Sequence, residues 1–262
     1  MSKYELRKQA LETVKKIDKN REKYYVIHYT CDDFKKSDTV TSIVISHFSD
    51  GETTSFSLDQ TAKILDIQNT DLKTPETLNK VEKKMLESFS DFVKNHDNNN
   101  WVHWNMNSDS YGFKALELRA KVLKIQNFSV VNDDRKLNLS KLFAELYDRG
   151  FAKNPQMENL MKLNKISDPG DYYPGYSNQD DKMTEPKLFE QGKYKTIRLS
   201  CLRKVKILCH FLNLEIDKKL ITLTPKRKLY GLSIKGLYAL LLEQWWSGLL
   251  IFFLGYLATK LI

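Results

Sequence analysis

The first part of the chain changes from a helical pattern of apolar residues to strand-like patterns. Ala10, Val14 and Ile17 recur at helical spacing and predict a helix over residues 4–20. Runs rich in β-branched and aromatic residues then predict strands, over residues 24–30, 41–48 and 53–58. Asp50 and Gly51, between the second and third runs, are typical of a hairpin turn. We therefore expect an antiparallel meander to lead the fold.

Helical and strand-like segments alternate after this meander. Pro75 follows Thr74, the predicted N-cap, and opens a helix to about residue 95. Further helices are predicted over residues 109–124, 139–148, 157–164 and 199–212. Short strands are predicted over residues 101–105 and 128–131, with a polar turn over 132–136 and a loop over 167–185. This order predicts an α/β protein with a mixed sheet flanked by helices.

The last stretch of the sequence, residues 245–262, has the length and hydrophobicity of a membrane span. A helix of this length rises about 27 Å, which is close to the ~30 Å thickness of bilayer hydrocarbon. Lys260 is its one charged residue and lies near the end, where a long side chain reaches the headgroups. Trp245 and Trp246 lie at the start, where the interface favours tryptophan. A buried core helix is the alternative, although such a helix rarely lacks a polar face.

Basic residues precede this segment and almost none follow it; they are Lys218, Lys219, Lys226, Arg227, Lys228 and Lys235. The positive-inside rule then predicts a single-pass membrane protein whose larger domain is cytoplasmic. The same cations attract anionic lipid by about 1 kcal/mol each near the surface, so membrane lipid is an expected partner. Gly248 and Gly255 share one face of the span and leave self-association through it open.

The predicted organisation therefore has four parts: an N-terminal helix over residues 1–22, an α/β domain over 23–214, a basic juxtamembrane segment over 215–244, and the span over 245–262. With 41% apolar and 29% charged residues, the composition is typical of a folded protein. Lysine and arginine exceed the acids by 42 minus 33, or nine, which favours an anionic partner such as nucleic acid or a lipid surface. The sequence has no Walker loop, dinucleotide glycine pattern or Gly-x-Ser-x-Gly elbow, which argues against common nucleotide-driven enzymes and hydrolases.

One local motif and the order of elements over residues 24–211 resemble the DEDD exonucleases, which have a ribonuclease H-like fold. The segment Trp104-Asn105-Met106-Asn107-Ser108-Asp109 is similar to the family's His-Asn-x-x-x-Asp, with Asp109 at the metal-binding place. In that family an Asp-x-Glu pair on the first strand and an acid on a late helix complete the set that holds two divalent metals. Here the Asp-x-Glu positions hold His28 and Thr30, and the late-helix position holds Arg203.

The resemblance implies a ribonuclease H-like protein that lacks robust catalysis, needs no cofactor, and binds nucleic acid or a nucleotide. The expected cleft combines residues of the first and fourth strands: His28, Thr30, His103, Asn105 and Asp109. The expected phosphate contacts are basic residues of the late helix: Arg198, Arg203, Lys204 and Lys206. Such a domain joined to a membrane segment is expected of a bacterial defence or stress module.

Two alternatives remain open. An active metal-dependent nuclease would use Asp109 with Asp32 or Asp33, and would need a divalent metal such as magnesium, which prefers oxygen ligands. A non-catalytic interaction module would bind another protein and oligomerise in the membrane. For His28 and His103, burial in the sheet without any functional role is the competing interpretation.

Overall fold

The computed structural model describes residues 2–33, 37–68, 71–166 and 184–229. The described strands are β1 (Tyr24–Asp33), β2 (Ser37–His47), β3 (Thr53–Ser57), β4 (Asn100–His103) and β5 (Lys136–Asn138). The described helices are α1 (Lys3–Lys19), α2 (Leu58–Ile64), α3 (Pro75–Asn95), α4 (Phe113–Val122), α5 (Leu139–Tyr147), α6 (Gln156–Leu163), α7 (Glu185–Glu190), α8 (Tyr194–Ile216) and α9 (Lys226–Leu229).

The described strands form one five-stranded sheet in the order β3-β2-β1-β4-β5. β2 runs antiparallel to both β1 and β3, whereas β4 is parallel to β1 and β5 is parallel to β4. Gly51 turns the β2–β3 hairpin with a φ of +76°, a conformation that costs glycine little because it has no Cβ. The predicted antiparallel meander and the predicted α/β class with a mixed sheet are confirmed.

Alternate residues of β1 enter two hydrophobic clusters because successive side chains of a strand point to opposite faces. Tyr24 and Val26 pack with residues of α1, α5, α6 and α8 on one face. Ile27 and Tyr29 pack with residues of α2, α3 and α4 on the other, where α7 and the first turns of α8 also contribute. Helices therefore flank the sheet on both faces, and the polar ends of the strands are left for a site.

Several short elements differ from the sequence prediction: α2, α7 and α9 were not predicted, and two further differences lie near β4. The strand predicted over residues 128–131 is wrong, and the fifth strand is instead β5, which pairs with β4 through Trp101↔Lys136 and its neighbours. α4 begins at Phe113 and not at residue 109, because Gly112 directly before it adopts φ +153°. A Cβ at Gly112 would lie 2.5 Å from the backbone carbon and oxygen of Met106. The two backbone segments are therefore too close for any residue with a side chain at this position.

No helix within the described ranges is long and apolar enough to cross a membrane. The predicted span over residues 245–262, with Trp245, Trp246 and Lys260, lies outside the described residues, as does residue 230 onward of the basic segment. The span, its lipid partner and its orientation therefore stay predictions from the sequence.

Candidate functional site

Two cavities lie around the carboxyl end of β4. We call the first the β1–β4 cavity; it has a volume of about 660 Å³, and it is lined by residues of β1 and α8 and by Trp104 and Asn105, which follow β4. We call the second the β4–β5 cavity; it has a volume of about 440 Å³, and residues of β5, α4 and α5 line it. In open α/β sheets, ligands bind beyond the carboxyl ends of strands where the strand order reverses. In this sheet the strand order reverses between β1 and β4, because β2 and β3 lie on one side of β1 and β4 and β5 lie on the other. The β1–β4 cavity is therefore the leading candidate site.

Hydrogen-bonded polar groups form the floor of the β1–β4 cavity. His28, on β1, is 7% exposed. The Tyr111 hydroxyl donates to the carbonyl oxygen of Tyr29 at 3.1 Å and lies 3.2 Å from His28 Nδ1. Because the tyrosine proton is used on that carbonyl, a neutral His28 can donate its own ring N–H to the hydroxyl oxygen.

A buried ion pair closes the α8 side of the cavity. Lys204 Nζ lies 2.7 Å from Glu185 Oε1, and Ser200 donates its hydroxyl to the same oxygen at 3.1 Å. Burial, assisted by the positive charge of Lys204, lowers the pKa of His28 well below its usual value. Burial also raises the pKa of Tyr111 well above its usual value. The cavity therefore presents a neutral imidazole, a protonated phenol and a charge-compensated ion pair.

Aromatic rings supply much of the cavity wall. Trp104 follows β4 and packs against Phe143, Phe151 and Phe211, while one side of it lines the cavity. No described residue accepts a hydrogen bond from its indole N–H. Tyr111 stacks on Tyr29 with 4.6 Å between ring centroids. The wall can thus stack a planar ligand and offer it at least one hydrogen-bond donor.

The β4–β5 cavity combines one buried imidazole with exposed ion pairs. His103, the last residue of β4, is 3% exposed, and its Nδ1 accepts a hydrogen bond from the Met106 backbone N–H at 3.1 Å. Burial and the nearby charge of Lys136 lower the pKa of His103 to about 4. Lys114 Nζ lies 2.9 Å from Asp109 Oδ1 at the rim, where both side chains are largely exposed.

The structure divides the predicted cleft between these two cavities. His28 and Asn105 line the β1–β4 cavity, whereas His103 and Asp109 line the β4–β5 cavity. Thr30 lines neither, because its hydroxyl is buried against the Thr41 hydroxyl at 2.8 Å. The expected single cleft is therefore corrected. His28 and His103 point to opposite faces of the sheet, because β1 and β4 pair as Val26↔Val102 and side chains alternate along each strand. Asn105 does not follow His103, because β4 ends at His103 and the chain turns at Asn105 with φ +52°.

The predicted phosphate contacts on α8 have different environments. Arg198 forms a bidentate ion pair with Asp59, whose side chain is 2% exposed, and Lys204 pairs with Glu185. Arg203 is half-buried and Lys206 is exposed, and neither lines either cavity. The late-helix residue at the β1–β4 cavity is thus Lys204 and not Arg203.

The packing of α8 explains this one-residue difference. Cys201 and Leu208 are fully buried, and they lie three residues before and four residues after Lys204. Residues at those spacings share one face of a helix, so burial of the apolar face turns Lys204 inward with it. The adjacent Arg203 lies on the flank of the helix, half-buried and outside both cavities.

The two described acids of the nuclease alternative have separate partners. Asp109 is exposed and paired with Lys114, while Asp32 is buried and accepts the Thr39 backbone N–H at 3.1 Å. The side chain of Asp33 lies outside the described part. Among the described residues, no group of three or more His, Cys, Asp or Glu side chains is placed to hold a metal ion. An imidazole and an ammonium in the β1–β4 cavity do not fit magnesium, which takes oxygen ligands.

Sequence reasoning missed Tyr111, Ser200 and Glu185, all of which touch the polar floor or wall of the β1–β4 cavity. Tyr111 lies in the loop before α4, and Glu185 begins the short helix α7 inside the segment predicted as a loop. No sequence motif marks these positions, because their role depends on contacts with β1 and α8.

Comparison with known proteins adds no family to this picture: no protein-family model, curated protein or solved structure matches the chain.

Proposed function

We propose that the chain is a ribonuclease H-like protein that binds a nucleotide or the end of a nucleic acid in the β1–β4 cavity without cleaving it. The observation that carries the proposal is the chemistry of this cavity, which holds His28 and Lys204 where an exonuclease would need carboxylates. An antiparallel meander followed by parallel strands is also the arrangement expected of a ribonuclease H-like fold, and supports that part of the proposal.

Size and wall chemistry favour a nucleotide-sized ligand. Small-molecule sites typically have volumes of about 300–1,000 Å³ and mainly apolar walls with a few polar groups. The cavity, at about 660 Å³, lies within this range and combines Trp104 and Tyr111 with His28 and Lys204. Stacking of a base on an aromatic side chain contributes about 1–3 kcal/mol and tolerates any base. The rings would hold the base, and Lys204 would attract its charged part.

The same groups argue against catalysis. Two-metal hydrolysis needs carboxylates that hold the cations next to the scissile phosphate. In this cavity the carboxylate of Glu185 lies 2.7 Å from Lys204, so a metal ion would have to compete with that ammonium group for it. His28 remains neutral near pH 7 and is hydrogen-bonded to Tyr111. We therefore expect binding without metal-dependent turnover.

Binding to the full chain in mild detergent tests the proposal. Labelled single-stranded DNA and RNA oligonucleotides and mononucleotides would be titrated, with fluorescence anisotropy and tryptophan fluorescence as readouts. Ser110→Trp fills the cavity from its exposed rim and Lys204→Met removes the cation. Each should weaken binding at least tenfold, or about 1.4 kcal/mol. Lys206→Met, exposed on the same helix and outside the cavity, should bind like wild type.

Two results would overturn this proposal in favour of its rivals. Cleavage with magnesium or manganese that Asp109→Ala abolishes would establish the metal-dependent nuclease. Failure of every nucleotide and oligonucleotide to bind at low salt would favour the protein-interaction module, since phosphate contacts are strongest there.

The proposal includes a tether to the cytoplasmic side of a membrane through residues 245–262, which lie outside the described residues. It is supported by the apolar length of this segment, by Trp245 and Trp246 at its start, and by the basic residues before it. Cell fractionation of the full chain and of a variant lacking residues 245–262 tests the tether. The full chain should pellet with membranes after a carbonate wash and the deletion variant should not. A deletion variant that still pellets would show that these residues are not the anchor.

A further inference from the structure

We propose that the β4–β5 cavity is a second binding site that takes a phosphate group, with His103 Nε2–H as a buried donor and Lys114, Lys136 and Lys141 as its positive charges. This site is separate from the β1–β4 cavity, and it does not depend on the function proposed for that cavity. It is lined by His103 and Asp109, the two residues of the predicted cleft that line this cavity and not the first one.

A hydrogen bond fixes the orientation of the His103 ring. Its Nδ1 accepts the Met106 backbone N–H at 3.1 Å, so in the neutral ring the proton must lie on Nε2. No described residue accepts a hydrogen bond from Nε2. Solvent reaches Nε2, although His103 as a whole is only 3% exposed. The small exposed part of His103 therefore includes Nε2, and it opens into the cavity that His103 lines.

Three lysines line the same cavity as this donor, and Lys136 is the least exposed of them. Lys136 Nζ lies 2.6 Å from Asp133 Oδ1 and 4.8 Å from the centroid of the Phe113 ring, and the Asp133 side chain is 98% exposed. The Lys136 side chain is 19% exposed, but its partner is almost fully solvated, so water screens the pair and Lys136 can turn to another anion.

Lys114 and Lys141 are similarly available. Lys114 pairs with the exposed Asp109, and Lys141 Nζ lies 3.8 Å from Glu145 Oε1, a long contact. Both lysines are exposed at the mouth of the cavity. Each carboxylate pairs with one lysine. A phosphate dianion bound at His103 would instead interact with all three ammonium groups. Lysine binds phosphate as a compact point charge, and this matches the arrangement.

A cation is a poorer occupant of the same cavity. The acids that line it are Asp109, Asp133 and Glu145, and each is already next to a lysine. No group of three metal-ligating side chains occurs in the part of the chain that the structure describes. Among the described residues that line the cavity, His103 is the buried polar one, and its Nε2 is a hydrogen-bond donor and not an acceptor. An oxyanion with several acceptor oxygens therefore fits the cavity better than a metal ion.

Equilibrium dialysis of the full chain with radiolabelled inorganic phosphate tests the second site. His103→Asn keeps an acceptor for the Met106 N–H through the amide oxygen and removes the Nε2 donor. Lys136→Met keeps an apolar stem over Phe113 and removes the charge. Each change should weaken phosphate binding about tenfold or more, whereas Lys121→Met, at an exposed position of α4 outside both cavities, should leave it unchanged. Lys141→Met, at an exposed position, provides the test if His103→Asn fails to fold.

Several outcomes would overturn the second site. It is wrong if folded His103→Asn, Lys136→Met and Lys141→Met all bind phosphate like wild type, or if chloride at equal ionic strength displaces phosphate completely. Nucleoside 5′-monophosphates distinguish the source of the group. Tighter binding than free phosphate, lost on Ser110→Trp, would indicate one ligand spanning both cavities. Equal binding, insensitive to Ser110→Trp, would indicate that free phosphate is the ligand. Loss of nucleotide binding in the first cavity alone would leave this site intact.

Discussion

Replacing His103 by Asn removes a buried titratable ring and should flatten the dependence of stability on pH. Burial and the charge of Lys136 lower the pKa of His103 from 6.5 to about 4. The folded state therefore keeps the ring neutral, while the unfolded chain takes up a proton near its ordinary value. The stability that His103 contributes is fully present above about pH 6.5 and is lost as the pH falls through about 4.

The magnitude follows from the difference between the two pKa values. One pKa unit corresponds to about 1.4 kcal/mol, so the difference from 6.5 to about 4 corresponds to about 3 kcal/mol in total. Between pH 7 and about pH 5 the linkage relation makes His103 responsible for about 2 kcal/mol of lost stability. His28 acts in the same direction because its pKa is also lowered, but His28 is unchanged in the variant.

Urea unfolding of the full chain in mild detergent, followed by circular dichroism, measures this difference. Wild type and His103→Asn would be compared at pH 7, 6 and 5, with His210→Asn, at an exposed position of α8, as the matched control. The variant is expected to be less stable at pH 7 because it loses packing against Phe113, yet to lose about 2 kcal/mol less on acidification. Parallel curves for wild type and His103→Asn would refute the assignment of a buried, neutral His103.

Two further predictions concern the fold around the cavities. Arg119→Met leaves the fully buried Glu82 carboxylate with the Val40 N–H but without its cation, and should cost about 3–5 kcal/mol by urea unfolding. A second change, Glu82→Gln, should restore much of that loss, and no recovery would contradict the pairing. Gly112→Ala should cost about 1–3 kcal/mol because of its positive φ and the nearby Met106 backbone. Gly150→Ala, where no atom lies within 4 Å of a new Cβ, should have little effect on the melting temperature, and equal losses in both variants would refute the steric argument.

The sequence alone determined the elements whose pattern repeats over many residues. The helical spacing of Ala10, Val14 and Ile17 predicted α1, and the helix predicted from Pro75 to about residue 95 agrees with α3. The Asp50–Gly51 turn and the runs around it predicted the meander. These predictions hold because the burial of one face constrains the residue at every third, fourth or second position, so a local pattern carries the information.

Elements shorter than one period escaped the sequence. β5 has only three residues, and its backbone is a strand because β4 is there to pair with it. The apolar residues 128–131 offered a better strand pattern but lie in irregular structure. Short runs have too few positions to show a period, and tertiary pairing overrides their preference.

The site itself was decided almost entirely by the tertiary structure. The sequence identified His28, Asn105, His103 and Asp109 as candidates, but the end of β4 at His103 and the turn at Asn105 divide them between two cavities. In the sequence, Lys204 is one of several basic residues on a predicted helix. In the structure, burial of the apolar face of α8 directs its side chain toward Glu185. Pairing between residues far apart in the chain leaves no periodic trace, which is why the sequence indicated the class of fold and the structure decided the chemistry of each cavity.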